Sequence, residues 1–165
     1  MKISKLFYYV VLPVFVGIVA IDLLTKSFIA DRLDGNIVAV IPSIFNFMYV
    51  KNFGAAWNIF SGDRTFLIII SLAFVALLAI FYIVENKRGV LFQIGIGLLL
   101  GGAVGNLIDR IFLGYVRDFI QFDFWKTFPV FNIADSAITI GIALLAVHMI
   151  VSLFKGEKNG KKAWN

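Results

Sequence analysis

Two aspartates, Asp118 and Asp135, lie beside long apolar segments, where an ionised side chain is poorly solvated. Asp118 follows one long apolar segment, in the sequence YVRDF, and Asp135 begins the next one, in FNIADS. An ionisable side chain within a membrane span costs roughly 3 kcal/mol on insertion scales, so those that are present are functional candidates. Two carboxyl groups a few ångströms apart cannot comfortably both ionise, so one is held protonated while the other can deprotonate water. The pair therefore predicts acid–base chemistry on a water molecule.

The same residues have a simpler interpretation. Asn132 and Asp135 have the spacing of N-cap and N3 residues, which resembles a capping box, and Asp118 can be an ordinary interfacial loop charge. The positive end of the helix dipole favours an ionised Asp135, which would leave a shared proton on Asp118. Spacing alone does not show that the two acids meet, so both interpretations stay open at this point.

The composition predicts the setting of these acids. Of the 165 residues, 61% are hydrophobic and 15% are charged, whereas soluble domains average about 45–50% apolar and about 25% charged residues. Four stretches are close to the roughly 20 apolar residues that cross a bilayer, at about 7–24, 66–84, 90–108 and 133–154. The first run is too long for a cleavable signal and lacks a small-x-small cleavage site. We therefore predict an all-α membrane protein of four transmembrane helices, forming one domain over residues 1–165.

Loop charges predict the orientation. With both termini in the cytoplasm, the inner segments carry eight basic and two acidic residues, and the rest of the chain carries seven and eight. The positive-inside rule then places both termini in the cytoplasm and the loops at 25–65 and 109–132 outside. Topology accounts for the net charge of +5, so we expect membrane lipids and no nucleic acid as partners.

Several chemistries are excluded or disfavoured. The chain has no cysteine and a single histidine, which excludes thiol nucleophiles and thiolate metal sites. His148 lies toward the cytoplasmic end of the fourth span, far from the acids, so a histidine triad or a zinc site is not expected and His148 is assigned to packing. No metal and no cofactor is predicted. A Ser–Lys site drawn from Ser43, Ser61 and Lys51 stays open.

The outer loops carry their own structural signals. Residues 37–41 and 45–50 are short runs of β-branched and aromatic residues separated by Pro42-Ser43, which predicts two strands of a small extramembrane sheet. The loop from Arg110 to Asn132 is rich in aromatic rings, which suit the headgroup interface.

The third span carries regularly spaced glycines along its length and polar residues at its outer end. Glycines recur every four residues at Gly97, Gly101 and Gly105, with Gly102 beside them, and this spacing predicts close helix packing, with oligomerisation as the weaker alternative. At the outer end, Asn106, Asp109 and Arg110 share one helical face.

Five motifs occur in order along the chain: DxxTK at 22–26, NFGAAW at 52–57, GGAVGNLIDR at 101–110, VRDF at 116–119 and FNIADS at 131–136. With these motifs the chain closely resembles the lipoprotein signal peptidase family, also called signal peptidase II, over essentially its whole length. One position departs from the family's pattern. Arg117 stands where the family commonly has an apolar residue, which puts the local charge beside Asp118 in doubt.

The resemblance implies a function. Family members are four-span aspartyl endopeptidases of the bacterial cytoplasmic (inner) membrane, which remove the signal peptide of prolipoproteins just before a cysteine that carries a diacylglyceryl group. It also implies a small outer β-cradle, a short surface helix, a site near the outer leaflet and inhibition by cyclic peptide antibiotics. The family's catalytic dyad falls on Asp118 and Asp135. Its other motif positions, which shape the site or bind substrate, fall on Asp22, Lys26, Asn52, Gly54, Asn106, Asp109, Arg110, Asn132 and Ala134.

Side-chain chemistry suggests roles for these positions. Asn52 can bind a peptide backbone, Gly54 admits close backbone approach, and Arg110 can bind a carbonyl or lipid ester oxygen while Asp109 orients it or a neighbouring loop. The segment 54–57 with the surface helix can close over the site as a lid.

Other positions have alternative roles. Asn106 and Asn132 can brace the acid pair by donating hydrogen bonds. Asp22 and Lys26 form either an intrahelical pair, with Lys26 reaching the headgroups, or a substrate contact.

Two other protein classes are alternatives for a chain with acids in its spans. A transporter or channel would carry its acids near the midplane or in matching repeats, whereas these lie at one end of the spans without an evident repeat. A membrane scaffold would need no polar cluster. Both classes are disfavoured.

Overall fold

The architecture is a bundle of four long helices. The computed structural model describes residues 5–33, 36–55, 59–85 and 89–162, with the backbone alone for 155–162. Helix α1 spans Leu12–Leu33 after a π-helical turn at Phe7–Val11, α2 spans Arg64–Glu85, α3 spans Val90–Phe112 and α4 spans Ile133–Lys162. Within these described ranges, four helical stretches are long and apolar enough to cross a membrane. The predicted all-α, four-helix membrane architecture is confirmed.

Helices α1 and α3 continue beyond the C-terminal ends of the apolar runs that predicted them. Helix α1 continues to Leu33, beyond Leu24, and α3 continues to Phe112, beyond Ile108. A count of apolar residues stops at the first charged side chains, but here those side chains are buried against protein partners, so the helices need not end there. Asp22 and Lys26 therefore lie within α1 rather than at its end.

Helix α3 is the central element of the bundle. About two thirds (67%) of its spanning window is buried inside the protein, against 11–17% for the windows of the other three helices. Its buried residues include Gln93, Asn106 and Asp109. Helix α3 therefore supplies the interior face against which the other helices pack, and those helices turn most of their apolar surface outward.

The glycine spacing on α3 serves packing within the chain. A Cβ atom built on Gly97 would lie 2.9 Å from Val14, and one built on Gly101 would lie 2.8 Å from Ile18, both on α1. Gly102 faces the backbone of Ala134 at the start of α4 in the same way. The predicted packing role is confirmed, because only residues without a side chain let these helices approach so closely.

A three-stranded antiparallel sheet caps one end of the bundle. Strand β1 spans Ile37–Ile41, β2 spans Phe45–Asn52 and β3 spans Val116–Phe122, in the order β1-β2-β3. The first two confirm the predicted strands. The third was not predicted, because its residues were assigned to an interfacial aromatic loop. Its partner is β2, with Asn52 opposite Val116 and Asn46 opposite Gln121, and a pairing between such distant segments leaves little local signal.

The sheet is fastened to the bundle by apolar packing. Phe119 of β3 is 2% exposed and clusters with Ile29 and Leu33 of α1. This contact places the residues that precede Phe119 beside the helices. Between β2 and α2 the described residues form bends and turns and include no helix. Residues 56–58 of this connection lie outside the described ranges, so the expected surface helix stays a prediction.

Candidate active site

Asp118 lies on β3 with 2% of its surface exposed. Its Oδ2 accepts a hydrogen bond from Asn52 Nδ2 at 2.9 Å, and its Oδ1 accepts one from Asn132 Nδ2 at 2.7 Å. Burial, followed by the charge of Asp135, raises the pKa of Asp118 to about 7, because a carboxylate is poorly stabilised away from water and beside another acid. This carboxyl group therefore retains its proton up to about neutral pH.

Asp135 lies in the first turn of α4 and forms a reciprocal cap with Asn132. The Asp135 backbone N–H donates to Asn132 Oδ1 at 2.9 Å, and the Asn132 backbone N–H donates to Asp135 Oδ2 at 3.1 Å. The predicted capping box is thereby confirmed. The other oxygen, Oδ1, accepts a hydrogen bond from Asn106 Nδ2 at 2.7 Å. Capping and membership of an acid pair are thus compatible, and the two interpretations of Asp135 hold together.

The two aspartates face one cavity. Asp118 and Asp135 both line a space of about 350 Å³ that is bounded by α2, α3, α4 and the sheet. Asn52, Asn106 and Arg110 line it with them, and its walls are otherwise largely apolar, with Phe74 among them. The structure therefore brings together the two acids whose meeting the sequence spacing left open. Such a cavity can hold a water molecule and a peptide carbonyl between the two carboxyl groups.

Two asparagines connect the acids. Asn132 Nδ2 donates both to Asp118 Oδ1 and to Asn106 Oδ1, the latter at 3.0 Å. Asn106 in turn donates to Asp135. The expected bracing by Asn106 and Asn132 is therefore present in the geometry, as one chain of amides from one carboxyl group to the other.

Lys26 is completely buried beneath this chain. Its Nζ donates to Asn106 Oδ1 at 2.9 Å and pairs with Asp22 at 2.7 Å and with Asp109 at 3.4 Å. The alternative in which Lys26 reaches the headgroups is wrong, because its two carboxylate partners lie inside the protein, while the intrahelical pair with Asp22 is confirmed. An ammonium group can only donate, so it requires the oxygen of the Asn106 amide and leaves the amide nitrogen for Asp135.

Asp22 joins α1 to the start of α4. Its Oδ1 accepts a hydrogen bond from the backbone N–H of Ala134 at 2.9 Å, and both residues are fully buried. Since Ala134 immediately precedes Asp135, this bond fixes the position of the turn that carries the acid.

Arg110 and Asn52 hold the segment that follows β2. Arg110 Nη2 donates to the carbonyl oxygen of Gly54 at 3.2 Å, and the Gly54 backbone N–H donates to Asn52 Oδ1 at 2.9 Å. Gly54 thus takes part through its backbone, at the rim of the cavity. Of the expected lid at 54–57, positions 56 and 57 lie outside the described residues.

Asp109 orients a neighbouring strand and not Arg110. Its carboxylate accepts hydrogen bonds from the side chain and the backbone N–H of Arg117, with the shortest contact at 2.7 Å. Arg117 was noted in the sequence only as a departure from the family's pattern, and its partner was missed. A buried acid at the end of an apolar span needs a cation, and that requirement is the sequence signal from which the Asp109–Arg117 pair could have been predicted.

The remaining candidates lie apart from this cavity. Ser43 and Ser61 lie in exposed turns, Lys51 stands over the ring of Tyr115 at 5.2 Å, and none of the three lines the cavity. His148 packs against Phe92 and lines a second cavity, of about 410 Å³. Across the described ranges, no group of three or more His, Asp or Glu side chains is placed to hold a metal ion.

The chain is similar to known proteins along nearly all of its length. The model of the family described as signal peptidase (SPase) II matches residues 14–151. The lipoprotein signal peptidase of Lactobacillus gasseri is 42% identical over 160 residues, covering 96% of this chain and 100% of that protein. The lipoprotein signal peptidase of Staphylococcus aureus is 42% identical over 149 residues, covering 89% of each.

Solved structures agree with these relatives. A bacterial membrane enzyme determined by the in meso method at 2.3 Å resolution superposes with a TM-score of 0.82 at 38% identity, covering 96% of both chains. A second such structure, at 1.9 Å resolution, gives a TM-score of 0.80 at 37% identity, covering 90% of this chain and 96% of the other. From the family match, the relatives and the fold together, the chain belongs to the signal peptidase II family of aspartic membrane peptidases.

Proposed function

We propose that this signal peptidase II enzyme cleaves the signal peptide from prolipoproteins just before their diacylglyceryl-modified cysteine, with Asp118 and Asp135 as its water-activating pair. One observation carries the assignment of the pair. Two carboxyl groups line a single cavity, and Asp118, with 2% of its surface exposed, keeps its proton to about pH 7. One acid and one base are then available together at the pH of a cell.

The chemistry requires one proton to be shared between the acids. Asp135, as the carboxylate, takes a proton from the water molecule while the water oxygen attacks the scissile carbonyl carbon, and Asp118 gives its proton to the carbonyl oxygen. The resulting gem-diol collapses when Asp135 passes the proton it took from water to the amide nitrogen, Asp118 takes a proton back from a gem-diol hydroxyl, and the C–N bond breaks. The products are a carboxylic acid on the signal peptide and an amine on the modified cysteine. Neither a covalent enzyme intermediate nor a metal is needed in this scheme.

The polar rim of the cavity suits an extended peptide. The cavity is lined by Arg110 and Asn52 beside the acid pair, and their N–H groups can donate hydrogen bonds to peptide or ester carbonyls. For Arg110 this requires that the Gly54 carbonyl, its present acceptor, be displaced. The walls contributed by α2 and α4, including Phe74 and Ile138, are apolar. The substrate's acyl chains remain in the surrounding lipid, and the segment after β2 closes over the peptide as a lid.

The same proposal includes the location of the enzyme. Both termini lie in the cytoplasm, on the positive-inside argument, and residues 1–165 form one peptidase domain in the bacterial cytoplasmic membrane. The acids lie at the end of the bundle that carries the sheet, which is then the outer leaflet. Signal peptides cross the membrane with their cleavage sites on this side, so substrate and acids meet there.

A cleavage assay in detergent tests the proposal. Wild type, Asp118→Asn and Asp135→Asn are compared on lipidated and unlipidated prolipoprotein. Asp123→Asn is the matched control, because Asp123 is a carboxylate just after β3 that pairs with Asn46 and Lys126 and does not line the cavity. We expect cleavage of the lipidated substrate only, a loss of at least ~100-fold in both dyad variants, near wild-type rates in the control, and inhibition of the wild type by a substrate-like cyclic peptide antibiotic. Near-normal cleavage by either dyad variant contradicts the assignment.

A further inference from the structure

Arg117 immediately precedes Asp118 on β3, and its side chain is committed to one carboxylate. Its Nη2 donates to Asp109 Oδ1 at 2.7 Å, and its Nε lies 3.2 Å from each Asp109 oxygen. The Arg117 backbone N–H donates to Asp109 Oδ2 at 3.0 Å, and Nη1 donates to Ser27 Oγ at 3.1 Å. Asp109 on α3 therefore holds both the backbone and the guanidinium group of the residue next to the acid.

Asp109 also belongs to the buried cluster beneath the acid pair. It lies 3.4 Å from Lys26 Nζ, whose closer partners are Asp22 at 2.7 Å and Asn106 at 2.9 Å. The side chains of Lys26, Asp22 and Asp109 are each at most 1% exposed, and that of Arg117 is 13% exposed. Two carboxylates thus face two cations away from water, and this balance depends on Arg117.

We propose that Arg117 is a positioning residue for the aspartate pair: it neutralises Asp109, fixes the start of β3 and so leaves Lys26 to hold Asn106 against Asp135. The inference rests on the proposed function only for the roles of Asp118 and Asp135. A forked guanidinium–carboxylate contact fixes direction as well as charge, which a single-point ammonium contact does not.

The proposal has a consequence for the protonation of Asp118. The charged groups that face Asp118 are Asp135 from α4, Lys26 from α1 and Arg110 from α3. Those around Arg117 are Asp109, Tyr49 and Asp22. Loss of the Arg117 charge leaves Lys26 to balance two carboxylates, so the surroundings of Asp118 become more negative and its pKa rises. Charges within ~4–6 Å shift a pKa by about 1–3 units; because Arg117 acts from behind Asp109, we expect about 0.5–1 unit.

Three variants test this inference. Arg117→Met removes the charge and keeps the length, Arg117→Lys keeps the charge and loses the fork, and Lys51→Met is the matched control. Lys51 pairs with Arg117 across β2 and β3, is exposed and stands over Tyr115 instead of touching the cluster. For each protein, kcat/KM on lipidated prolipoprotein and the melting temperature without substrate are measured from pH 5 to pH 9.

Arg117→Met is expected to move the alkaline limb of the kcat/KM profile upward by about 0.5–1 unit and to lower kcat. Arg117→Lys should keep the wild-type pH profile at a reduced kcat, and Lys51→Met should match wild type in both. A fall in rate or stability of Arg117→Met with an unchanged pH profile would show a merely structural role and overturn the proposal. An equal shift in Lys51→Met would overturn it too, because the effect would then come from diffuse surface charge.

A double variant keeps the inference testable if Arg117→Met folds poorly. Arg117→Met combined with Asp109→Asn removes one charge of each sign, so the alkaline limb should return to its wild-type position; a limb that stays displaced refutes the charge-balance argument. The melting temperature separates this inference from the proposed function. If wild type cleaves nothing, the proposed function fails, while the pH dependence of the melting temperature without substrate still shows whether Arg117 sets the protonation of Asp118.

Discussion

Asp118→Asn is the substitution for which the structure predicts opposite effects on activity and on stability. The folded-state pKa of Asp118 is raised from 3.8 to about 7. Between pH 4 and pH 7, the folded chain therefore keeps a proton that the unfolded chain has lost. Folding stability falls as the pH rises through this window, because the unfolded state binds fewer protons than the folded one. An asparagine at this position does not titrate and escapes the loss.

The magnitude follows from those two pKa values. From pH 5 to pH 8, a single carboxyl group with these values loses about 2.5 kcal/mol of stabilisation. The variant also misplaces one hydrogen bond, since both Asp118 oxygens accept from amide nitrogens, but this cost is the same at every pH. The difference in stability between the variant and wild type therefore increases by about 2.5 kcal/mol over the range, which corresponds to roughly 5–10 °C for a chain of this size.

Melting curves in detergent at four or five pH values measure this difference, with Asp123→Asn as the control. The same preparations are assayed for cleavage, where Asp118→Asn should be at least ~100-fold slower. Parallel dependence of the melting temperature on pH in wild type and in Asp118→Asn would refute the argument, because it would mean that Asp118 ionises in the folded protein at its ordinary pKa.

Two further substitutions test the buried framework. Lys26→Met removes the ammonium group from two buried carboxylates and should cost about 3–5 kcal/mol, seen as a lower melting temperature; adding Asp22→Asn should recover part of the loss, and no recovery would contradict the pairing. Gly102→Ala places a methyl group against the backbone of Ala134, so α4 must shift and both cleavage and melting temperature should fall. Gly17→Ala is its control, because nothing lies within 4 Å of the added methyl, and an equal loss there would refute the packing argument.

Most of the membrane architecture was predictable from the chain alone. Four apolar runs of spanning length and the glycine spacing on α3 are local properties, and each depends on residues close together in the sequence. The same holds for the Asn132–Asp135 cap, because a cap joins residues three positions apart. The family motifs identified Asp118 and Asp135 as candidates for the same reason.

The site itself depends on contacts between distant segments. Strand β3 was not predicted because it forms by pairing with β2, and the burial of Lys26 was not predicted because a lysine near a helix end normally reaches water. In the folded protein, Lys26 is instead surrounded by carboxylates from α1 and α3, and those ion pairs offset its desolvation. No local pattern contains that information.

The order of the amino acids is enough to predict a four-span membrane protein with two acids near one end of its spans. That Asp118 and Asp135 face one cavity, and that Asp109 pairs with Arg117, is visible only in the folded chain. Burial and electrostatic pairing are properties of the assembled bundle, because a carboxyl group acquires its proton affinity from the groups that the fold places around it.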